Sequence, residues 1–146
     1  MAPTRAQLLS TSDKFIRAYN EWTIASILSV RSSGCIHRTL PASRARKPKN
    51  NVEFARFLKP LLSVYRELTL SNIDEAETVI DVKKRKVVLH LKSHADTDAG
   101  PYENEYFFIL TMSQDGDLID EVVEYLDSGY TDDFAERLQQ ASRGKD

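Results

Sequence analysis

The sequence predicts an α+β fold in which helices come first and a curved antiparallel sheet follows. Apolar residues recur at helical spacing up to Tyr65, and β patterns separated by turn residues begin after Glu67. The 146 residues match the common size of one domain, and no repeat divides them. We therefore expect a single domain over residues 1–146, with the helices gathered on one face of the sheet.

The predicted first helix opens with a capping box, in which the Thr4 hydroxyl and the Gln7 amide each satisfy a free backbone N–H. The apolar positions that follow are Leu8, Leu9, Phe15, Ile16 and Tyr19. A second, short helix is predicted from Trp22, Ile24, Ile27 and Leu28. A third begins at Asn50 or Asn51, and Pro60 is expected to bend it. Its apolar stripe is Phe54, Phe57, Leu58, Leu61, Leu62 and Tyr65.

A basic segment separates the second helix from the third. The stretch Cys35–Leu40 is predicted to form a short strand. Pro41 and Pro48 then bracket a loop whose charged residues are Arg44, Arg46, Lys47 and Lys49. We interpret this loop as a solvated connection.

The second half of the chain has the pattern of strands joined by turns. The predicted strand segments are Glu77–Val82, Lys86–Ala95, Glu103–Ser113 and Leu118–Leu126. The turns between them are Lys83-Lys84-Arg85, Gly100-Pro101 and Gln114-Asp115-Gly116. Thr131 is expected to cap a short final helix that contains Phe134 and Leu138.

The last predicted hairpin is apolar on both of its faces. One face carries Phe108, Leu110, Met112, Leu118 and Val122, and the other carries Phe107, Ile109, Ile119, Val123 and Tyr125. An antiparallel sheet with one solvated face alternates more cleanly than this. We therefore expect the helices to cover one face and a second copy of the chain to cover the other, in a homodimer packed sheet to sheet.

Composition argues against several function classes. The formal net charge of −2 argues against a general affinity for nucleic acid or for acidic membranes. The lone Cys35 permits no intramolecular disulfide. No segment has the pattern of a secretory signal or the ~20 apolar residues that span a bilayer. We expect a cytoplasmic protein with neither nucleic acid nor membrane as its partner.

The common catalytic motifs do not occur in the sequence. It has no Gly-rich phosphate loop and no Cys-x-x-Cys, His-Glu-x-x-His or Gly-x-Ser-x-Gly segment. His90 and His94 would lie about 13 Å apart along one strand, which is too far for one metal ion. We therefore expect no metal and no cofactor. The apolar parity of Val87, Leu89 and Leu91 predicts that His90 faces away from the core.

The richest group of polar residues lies at the start of the third strand segment. Tyr102, Asn104 and Tyr106 share one face by strand alternation, so their polar ends can converge in a pocket. Two registers of the following hairpin remain open. A three-residue loop places Tyr106 opposite Glu124, whereas a two-residue loop places Asn104 opposite Asp127.

Three parts of the sequence resemble fungal SnoaL-like proteins, which have a cone-shaped, NTF2-like fold. These parts are Ala95–Tyr106, Glu124–Ser128, and Cys35-Ile36-His37-Arg38-x-x-Pro41 followed by Asn50-Asn51. The resemblance covers nearly the whole chain and extends to cofactor-free isomerases and cyclases of fungal natural-product pathways. It implies a curved sheet wrapped around the N-terminal helices, with one enclosed pocket for a hydrophobic polycyclic metabolite.

Two branches of this family suggest different substrates. In semipinacolases of brevianamide-type indole alkaloids, an arginine, two tyrosines and a glutamate are implicated in the chemistry. The resemblance places these roles on Arg38, Tyr102, Tyr106 and Glu124, and so favours the three-residue loop. The ring-remodelling isomerases of meroterpenoid pathways have an acid just before a proline of the third helix, where this chain has Lys59. This departure favours the alkaloid-type reaction.

The resemblance therefore implies a semipinacolase-type isomerase or cyclase. Glu124 would be the base or proton shuttle, Arg38 would stabilise a developing oxyanion, and the two tyrosines would donate hydrogen bonds. The residues expected to bind the substrate are Asn104, Trp22, Tyr19, His37, Asp127 and Phe108. His37 also has a structural interpretation, because it points to the strand face opposite Arg38, and Asp127 corresponds to a catalytic acid of other members of the superfamily. A dehydratase or hydrolase and a non-catalytic binding module are the alternative functions.

Overall fold

The computed structural model describes residues 2–144, in which helices pack against one face of a curved six-stranded sheet. The helices are α1 (Arg5–Glu21), α2 (Ile24–Ser29), α3 (Asn51–Leu58), α4 (Leu61–Val64) and α5 (Ser128–Arg143). The strands are β1 (Arg31–Leu40), β2 (Arg66–Asn72), β3 (Val79–Asp81), β4 (Lys86–Asp96), β5 (Glu105–Met112) and β6 (Ile119–Leu126). Short 3₁₀ turns occupy Ala42–Arg44 and Glu75–Glu77.

The strand order is β1-β6-β5-β4-β2, with β3 paired to the same edge of β4 as β2. The predicted α+β class, with N-terminal helices on a curved sheet, is confirmed. The sheet is mixed rather than wholly antiparallel, because β1 runs parallel to β6. Parallel neighbours need a long connection, and here almost the whole of the intervening fold provides it.

The N-terminal helices follow the sequence pattern closely. Both hydrogen bonds of the predicted capping box at Thr4 and Gln7 are present, and α1 buries Leu8, Phe15 and Tyr19 against the sheet. The predicted bend at Pro60 separates α3 from α4, because proline cannot donate the backbone bond that would join them.

Three elements differ from the sequence prediction. Strand β2 was not predicted, because only Leu68 and Leu70 mark its buried face and no Gly or Pro frames it. The segment predicted as the strand Glu77–Val82 contains only the end of a 3₁₀ turn and the short β3. The final helix is a full 16 residues and starts at Ser128, because Asp127 rather than Thr131 caps it by accepting the Tyr130 N–H.

The β5–β6 hairpin adopts neither of the two registers considered. The Ser113 N–H donates to the Leu118 carbonyl, which leaves a four-residue loop, and an irregularity follows between the hydrogen-bonded pairs. Tyr106 is therefore opposite Leu126, and Phe108 is opposite Glu124. The three-residue-loop prediction errs by two residues in register. It keeps the correct parity, so Tyr106 and Glu124 still share the inner face.

The hairpin loop is clamped against the start of α1. Gly116 has φ 82°, and a Cβ at this position would lie 2.6 Å from the Pro3 Cβ. The buried Thr11 hydroxyl donates to the Gly116 carbonyl. Glycine is needed here both for its backbone conformation and for the close approach of the two segments. No helix within residues 2–144 is long and apolar enough to cross a membrane.

The outer face of the sheet carries exposed aromatic residues. Phe107 is 44% exposed and Tyr125 is 50% exposed, whereas Val123 is only 4% exposed and is already covered within one chain. His90 lies on this outer face, as predicted, and stacks on Phe107 with ring centroids 4.4 Å apart. Large apolar groups of this kind on a sheet favour association. We propose that this face packs against the same face of a second copy.

Mass measurement by light scattering tests the dimer. We expect a mass about twice the 16.6 kDa of one chain for the wild type at micromolar concentration. Replacing Phe107 and Tyr125 by Glu should give monomers, because two charges would then be buried without partners. As a control, Val52→Glu changes an exposed residue on α3 and should leave the dimer intact. A wild-type mass of one chain would contradict the proposal.

Candidate active site

A cavity of about 480 Å³ lies between the inner face of the sheet and the helices. Its wall is largely apolar and includes Tyr19, Trp22, Phe54, Leu58, Leu68 and Phe108. Polar side chains that line it include Glu124, Tyr102, Tyr106 and Thr131. A mostly apolar cavity with a few convergent polar groups is typical of a small-molecule site.

Trp22 and Tyr19 form one end of the wall, at the C-terminus of α1. The Trp22 indole N–H donates to the Tyr65 carbonyl at 2.7 Å and also approaches the Leu62 carbonyl at 3.3 Å. These bonds satisfy backbone carbonyls at the C-terminal end of α4, where the last carbonyls of a helix have no partner within the helix. Trp22 therefore holds α4 over the cavity, and its indole N–H is already used by the protein.

A buried chain of hydrogen-bonded polar side chains holds Glu124 in place. The Glu124 Oε1 atom lies 2.8 Å from His37 Nε2, and His37 Nδ1 lies 3.0 Å from Arg31 Nη1. Arg31 Nη2 also donates to the Tyr19 hydroxyl at 3.3 Å. Arg31 and His37 are almost fully buried, at 5% and 3% exposure. The parallel pairing of β1 with β6 brings these residues together from distant parts of the sequence.

The direction of these hydrogen bonds follows from the chemistry of arginine. A guanidinium can only donate, so His37 Nδ1 must be the acceptor. The proton of a neutral His37 ring is then on Nε2, which donates it to Glu124. Burial lowers the pKa of His37 below its ordinary value, and the nearby Arg31 charge acts in the same direction. The ring is therefore neutral near pH 7, and a single tautomer holds the carboxylate in place.

The Phe54 ring packs against two residues of this chain, His37 and Arg31. It stacks on the His37 ring with centroids 4.3 Å apart, and the Arg31 guanidinium carbon lies 4.2 Å from its centroid. The Arg31 Nε atom is buried without a hydrogen-bond partner in the described residues. The aromatic face thus provides part of the stabilisation that the buried cation lacks from hydrogen bonds.

A second polar network orients the two tyrosines. The Glu105 N–H donates to Asn104 Oδ1 at 2.8 Å, which fixes the Asn104 amide so that its Nδ2 group points to the Tyr102 oxygen at 2.8 Å. The same amide donates to the Thr131 hydroxyl at 3.0 Å. Because the Tyr102 oxygen accepts this bond, its own O–H remains available to donate.

The two tyrosine hydroxyls lie close together. Tyr102 and Tyr106 are 3.4 Å apart between their oxygens, and Ser93 Oγ is 2.9 Å from the Tyr106 oxygen. Burial raises the pKa of Tyr102 above its ordinary value, and it raises the pKa of Tyr106 further. Both tyrosines therefore stay protonated at neutral pH and act as hydrogen-bond or proton donors rather than as bases.

The structure brings together most of the residues predicted for the site. Six of them line the cavity: Glu124, Tyr102, Tyr106, Tyr19, Trp22 and Phe108. Two others lie directly behind these residues, since His37 supports Glu124 and Asn104 supports Tyr102. Their roles in catalysis or binding remain predictions.

Two predicted residues lie elsewhere. Arg38 points to the outer face of β1, where its Nε is 3.4 Å from Glu121 and its side chain is 44% exposed. Strand alternation is the reason, because His37 occupies the inward position beside it. Asp127 caps α5 and does not line the cavity; it borders a separate shallow depression beside Phe107. Neither Arg38 nor Asp127 therefore lines this cavity, and their roles in catalysis or binding remain predictions.

The arginine that connects to Glu124 through His37 is Arg31, which the sequence analysis missed. Strand β1 begins at Arg31 rather than at Cys35, and its buried positions are Arg31, Cys35 and His37. The common parity of these three residues could have identified Arg31, but an arginine at a buried position opposes the usual pattern. Within residues 2–144, no three His, Cys, Asp or Glu side chains are grouped as metal ligands would be.

The buried neutral His37 predicts a loss of stability in acid. Since its pKa is lower in the folded chain than the ordinary 6.5, the unfolded chain binds more protons between these two values. The contribution of the neutral His37 to the free energy of unfolding is fully present above about pH 6.5. It is lost as the pH falls towards the lowered pKa of His37 in the folded chain. Chemical denaturation from pH 7.5 to 5 should show the free energy of unfolding decreasing more steeply for the wild type than for His37→Gln, by up to about 1.4 kcal/mol per pH unit.

Subtracting the two curves isolates His37 from the other titrating groups. His90, whose pKa is raised chiefly by its hydrogen bond to Glu105, remains in both proteins and cancels in the difference. Parallel curves for the two proteins would show that His37 titrates alike in the folded and unfolded chains.

Comparison with known proteins identifies the family to which the chain belongs. No protein-family model matches the chain. Austinoid biosynthesis clusters protein S of Emericella nidulans is 35% identical over 138 residues, which are 94% of this chain and 97% of the relative. The crystal structure of BvnE pinacolase from Penicillium brevicompactum shares 36% identity and a TM-score of 0.88, and the match covers 94% of this chain and 93% of that one.

A more distant structure shows the breadth of the fold. A putative SnoaL-like polyketide cyclase from Jannaschia sp. CCS1 has a TM-score of 0.65 at 9% identity, and the match covers 84% of this chain and 86% of that one. At this identity the likeness concerns the fold alone. The chain thus belongs to the fungal SnoaL-like family of secondary-metabolite enzymes that includes BvnE pinacolase and the austinoid cluster proteins.

Proposed function

We propose that the protein is a cofactor-independent isomerase that rearranges the skeleton of a hydrophobic polycyclic metabolite by acid–base catalysis. The observation that carries this proposal is the pairing of one carboxyl group, Glu124, with the protonated hydroxyls of Tyr102 and Tyr106 in one apolar cavity. A base and proton donors in the same cavity serve a reaction that moves a proton within its substrate.

The reaction that suits these groups best is a semipinacol-type rearrangement of a hydroxyindolenine. Glu124 accepts the hydroxyl proton, and the carbinol carbon becomes a ketone as one of its C–C bonds migrates to the imine carbon. The π electrons of the imine move to its nitrogen, which takes a proton from Tyr102 or Tyr106. The proton on Glu124 then returns to the tyrosine pair, so substrate and product have the same composition. The apolar wall holds the substrate in one conformation, which selects the migrating group.

The buried polar chain gives Glu124 its orientation. The His37 N–H binds Oε1, which leaves Oε2 as the oxygen that meets the substrate proton. Arg31 fixes the His37 tautomer and provides a permanent positive charge in the low-dielectric interior near the carboxylate. Arg31 thus takes the role that the family resemblance first suggested for Arg38. It acts through His37 and is a positioning residue.

A ring-remodelling isomerase acting on a meroterpenoid is the second candidate. The 35% identity to an austinoid cluster protein favours it. Lys59, which occupies the position of an acid in that branch, is exposed and does not line the cavity. The same acid–base groups would serve either substrate, so the two candidates differ in the shape of the substrate rather than in the residues used.

Replacement of the cavity acid tests the proposed chemistry. Glu124→Gln keeps the shape of the side chain and should lower turnover at least about 100-fold, since a positioned acid–base group contributes this much. The assay uses a panel of polycyclic 3-hydroxyindolenines and austinoid-type meroterpenoids, with EDTA present and no cofactor added. The product is detected by chromatography and mass spectrometry as an isomer of unchanged mass.

Asp127→Asn is the matched control for this variant. It removes the same charge just after the end of β6, the strand that carries Glu124. Asparagine caps a helix as well as aspartate does, so turnover should stay within about twofold. Loss of activity in Asp127→Asn with activity retained in Glu124→Gln would refute the assignment of the acid. Equal turnover in both variants and the wild type would refute acid–base catalysis in this cavity.

A second pair of variants compares the inner and outer arginines. Arg31→Lys keeps the positive charge but loses the planar donor group that contacts both His37 and Tyr19, and it should lower kcat about 10-fold or more with little change in KM. Arg38→Lys should be nearly silent, because its ion pair with Glu121 is on the exposed outer face. Circular dichroism confirms that both variants fold. The reverse order of activities would return the role to Arg38.

A further inference from the structure

The basic loop between β1 and α3 forms part of the cavity rim. Arg46, Lys47 and Lys49 all line the cavity, together with Thr39 and Phe57. We place these three cations at its mouth because each side chain remains at least partly exposed. Arg46 and Lys49 are half-buried, whereas Lys47 is exposed. The interpretation of this loop as a purely solvated connection is therefore wrong, and its cations need a separate explanation.

The loop is held in place at both of its ends. The Arg44 guanidinium forms a two-pronged hydrogen bond with the Asp132 carboxylate on α5. At the other end, the Lys49 N–H and carbonyl pair with the carbonyl and N–H of His37 at 2.9 and 2.8 Å. The Lys49 ammonium also lies 4.8 Å from the Phe57 ring centroid. These contacts keep the rim cations at the mouth of the cavity.

The charges of this rim are not balanced by ion pairs among the residues that the structure describes. Arg44 is neutralised by Asp132, but none of the ion pairs formed within residues 2–144 includes Arg46, Lys47 or Lys49. Arg46 reaches Asp132 only through a weaker, longer-range attraction. The carboxyl group of Glu124, which lines the cavity, is already bonded to His37. Three cations over a low-dielectric apolar wall produce a local field that attracts an anion.

The geometry points to a substrate that carries an anionic oxygen group, a carboxylate or an enolate, which the rim formed by Arg46, Lys47 and Lys49 binds while the apolar skeleton fills the cavity. This inference rests on the proposed function in one respect, namely that the cavity holds a polycyclic small molecule. It adds the charge of the substrate and its direction, with the anionic end at the mouth and the reacting carbons near Glu124. The rim residues determine specificity and take no part in the proton transfers.

Binding of a matched pair of probes tests the inference without the true substrate. The probes are 1-pyrenebutyrate and its neutral methyl ester, which share one tetracyclic apolar skeleton and differ in charge. Titration of each probe is followed by pyrene fluorescence with the wild-type protein. We expect the acid to bind about 10-fold more tightly than the ester, and this preference should shrink as NaCl is raised to about 0.5 M, because salt screens the attraction.

Charge-removing variants locate the preference. The triple variant Arg46→Gln, Lys47→Gln, Lys49→Gln should bind acid and ester with nearly equal affinity and should bind the ester as the wild type does. The control Lys14→Gln, Lys83→Gln, Lys84→Gln removes three exposed cations away from the rim and should retain the preference for the acid. Replacing the acid by pyrene carrying an enolisable 1,3-diketone distinguishes an enolate from a carboxylate as the bound group.

The possible results distinguish the anion site from the cavity and from the proposed chemistry. Equal binding of acid and ester by the wild type, or an acid preference that survives in the rim triple variant, would overturn the anion site and leave the cavity and its chemistry standing. Failure of both probes to bind would overturn the small-molecule cavity itself, and with it the anion site. The turnover of Glu124→Gln tests the proposed chemistry independently of either result.

Discussion

The parallel pairing of β1 with β6 is the constraint on which the rest of the site depends. It places His37 next to Val122 and Thr39 next to Glu124, so that residues nearly 90 positions apart share one inner surface. Without this pairing, Arg31 and His37 would have no acid to support, and Glu124 would be a half-buried carboxylate without a partner. Non-local pairing of this kind is slow to form and costly in chain entropy, but it joins the two ends of the fold around the cavity.

Two layers of hydrogen-bonded polar groups adjoin the cavity, and in each layer the hydrogen bonds are donated in one fixed direction. In one layer the order of donation runs from Arg31 through His37 to Glu124, and in the other it runs from the Glu105 backbone through Asn104 to Tyr102. Each layer starts at a group that can only donate, so no alternative arrangement of its protons satisfies all members. The interior is thus prepared before a substrate arrives, which is the condition for efficient electrostatic catalysis.

Local sequence patterns were sufficient for the N-terminal helices and for the faces of the central strands. The capping box at Thr4, the break at Pro60 and the inward parity of Tyr102, Asn104 and Tyr106 all follow from rules that span fewer than ten residues. What sequence could not supply was the partner of each strand. The parallel β1–β6 pair and the four-residue hairpin loop depend on packing across the sheet.

The same limit explains why the inward-facing arginine of β1 was not identified. Arg38 lies in the segment that resembles the family, whereas Arg31 precedes it, and only the true start of β1 shows which of the two points inward. The exposure of Arg38 on the outer face is a consequence of simple alternation once His37 is known to be buried. A side-chain role inferred from a short motif therefore depends on the parity of its strand.

The clamp of Pro3 and Thr11 on Gly116 has a consequence for how this scaffold tolerates change. Thr11 and Tyr19 lie on the same helix, eight residues or about 12 Å apart, so one end of α1 closes the fold while the other end shapes the cavity. Contacts that stabilise the fold and residues that shape the cavity are thus separated along α1. Substitutions near Tyr19 can change the shape of the cavity, while the contacts of Pro3 and Thr11 with Gly116 keep the fold unchanged.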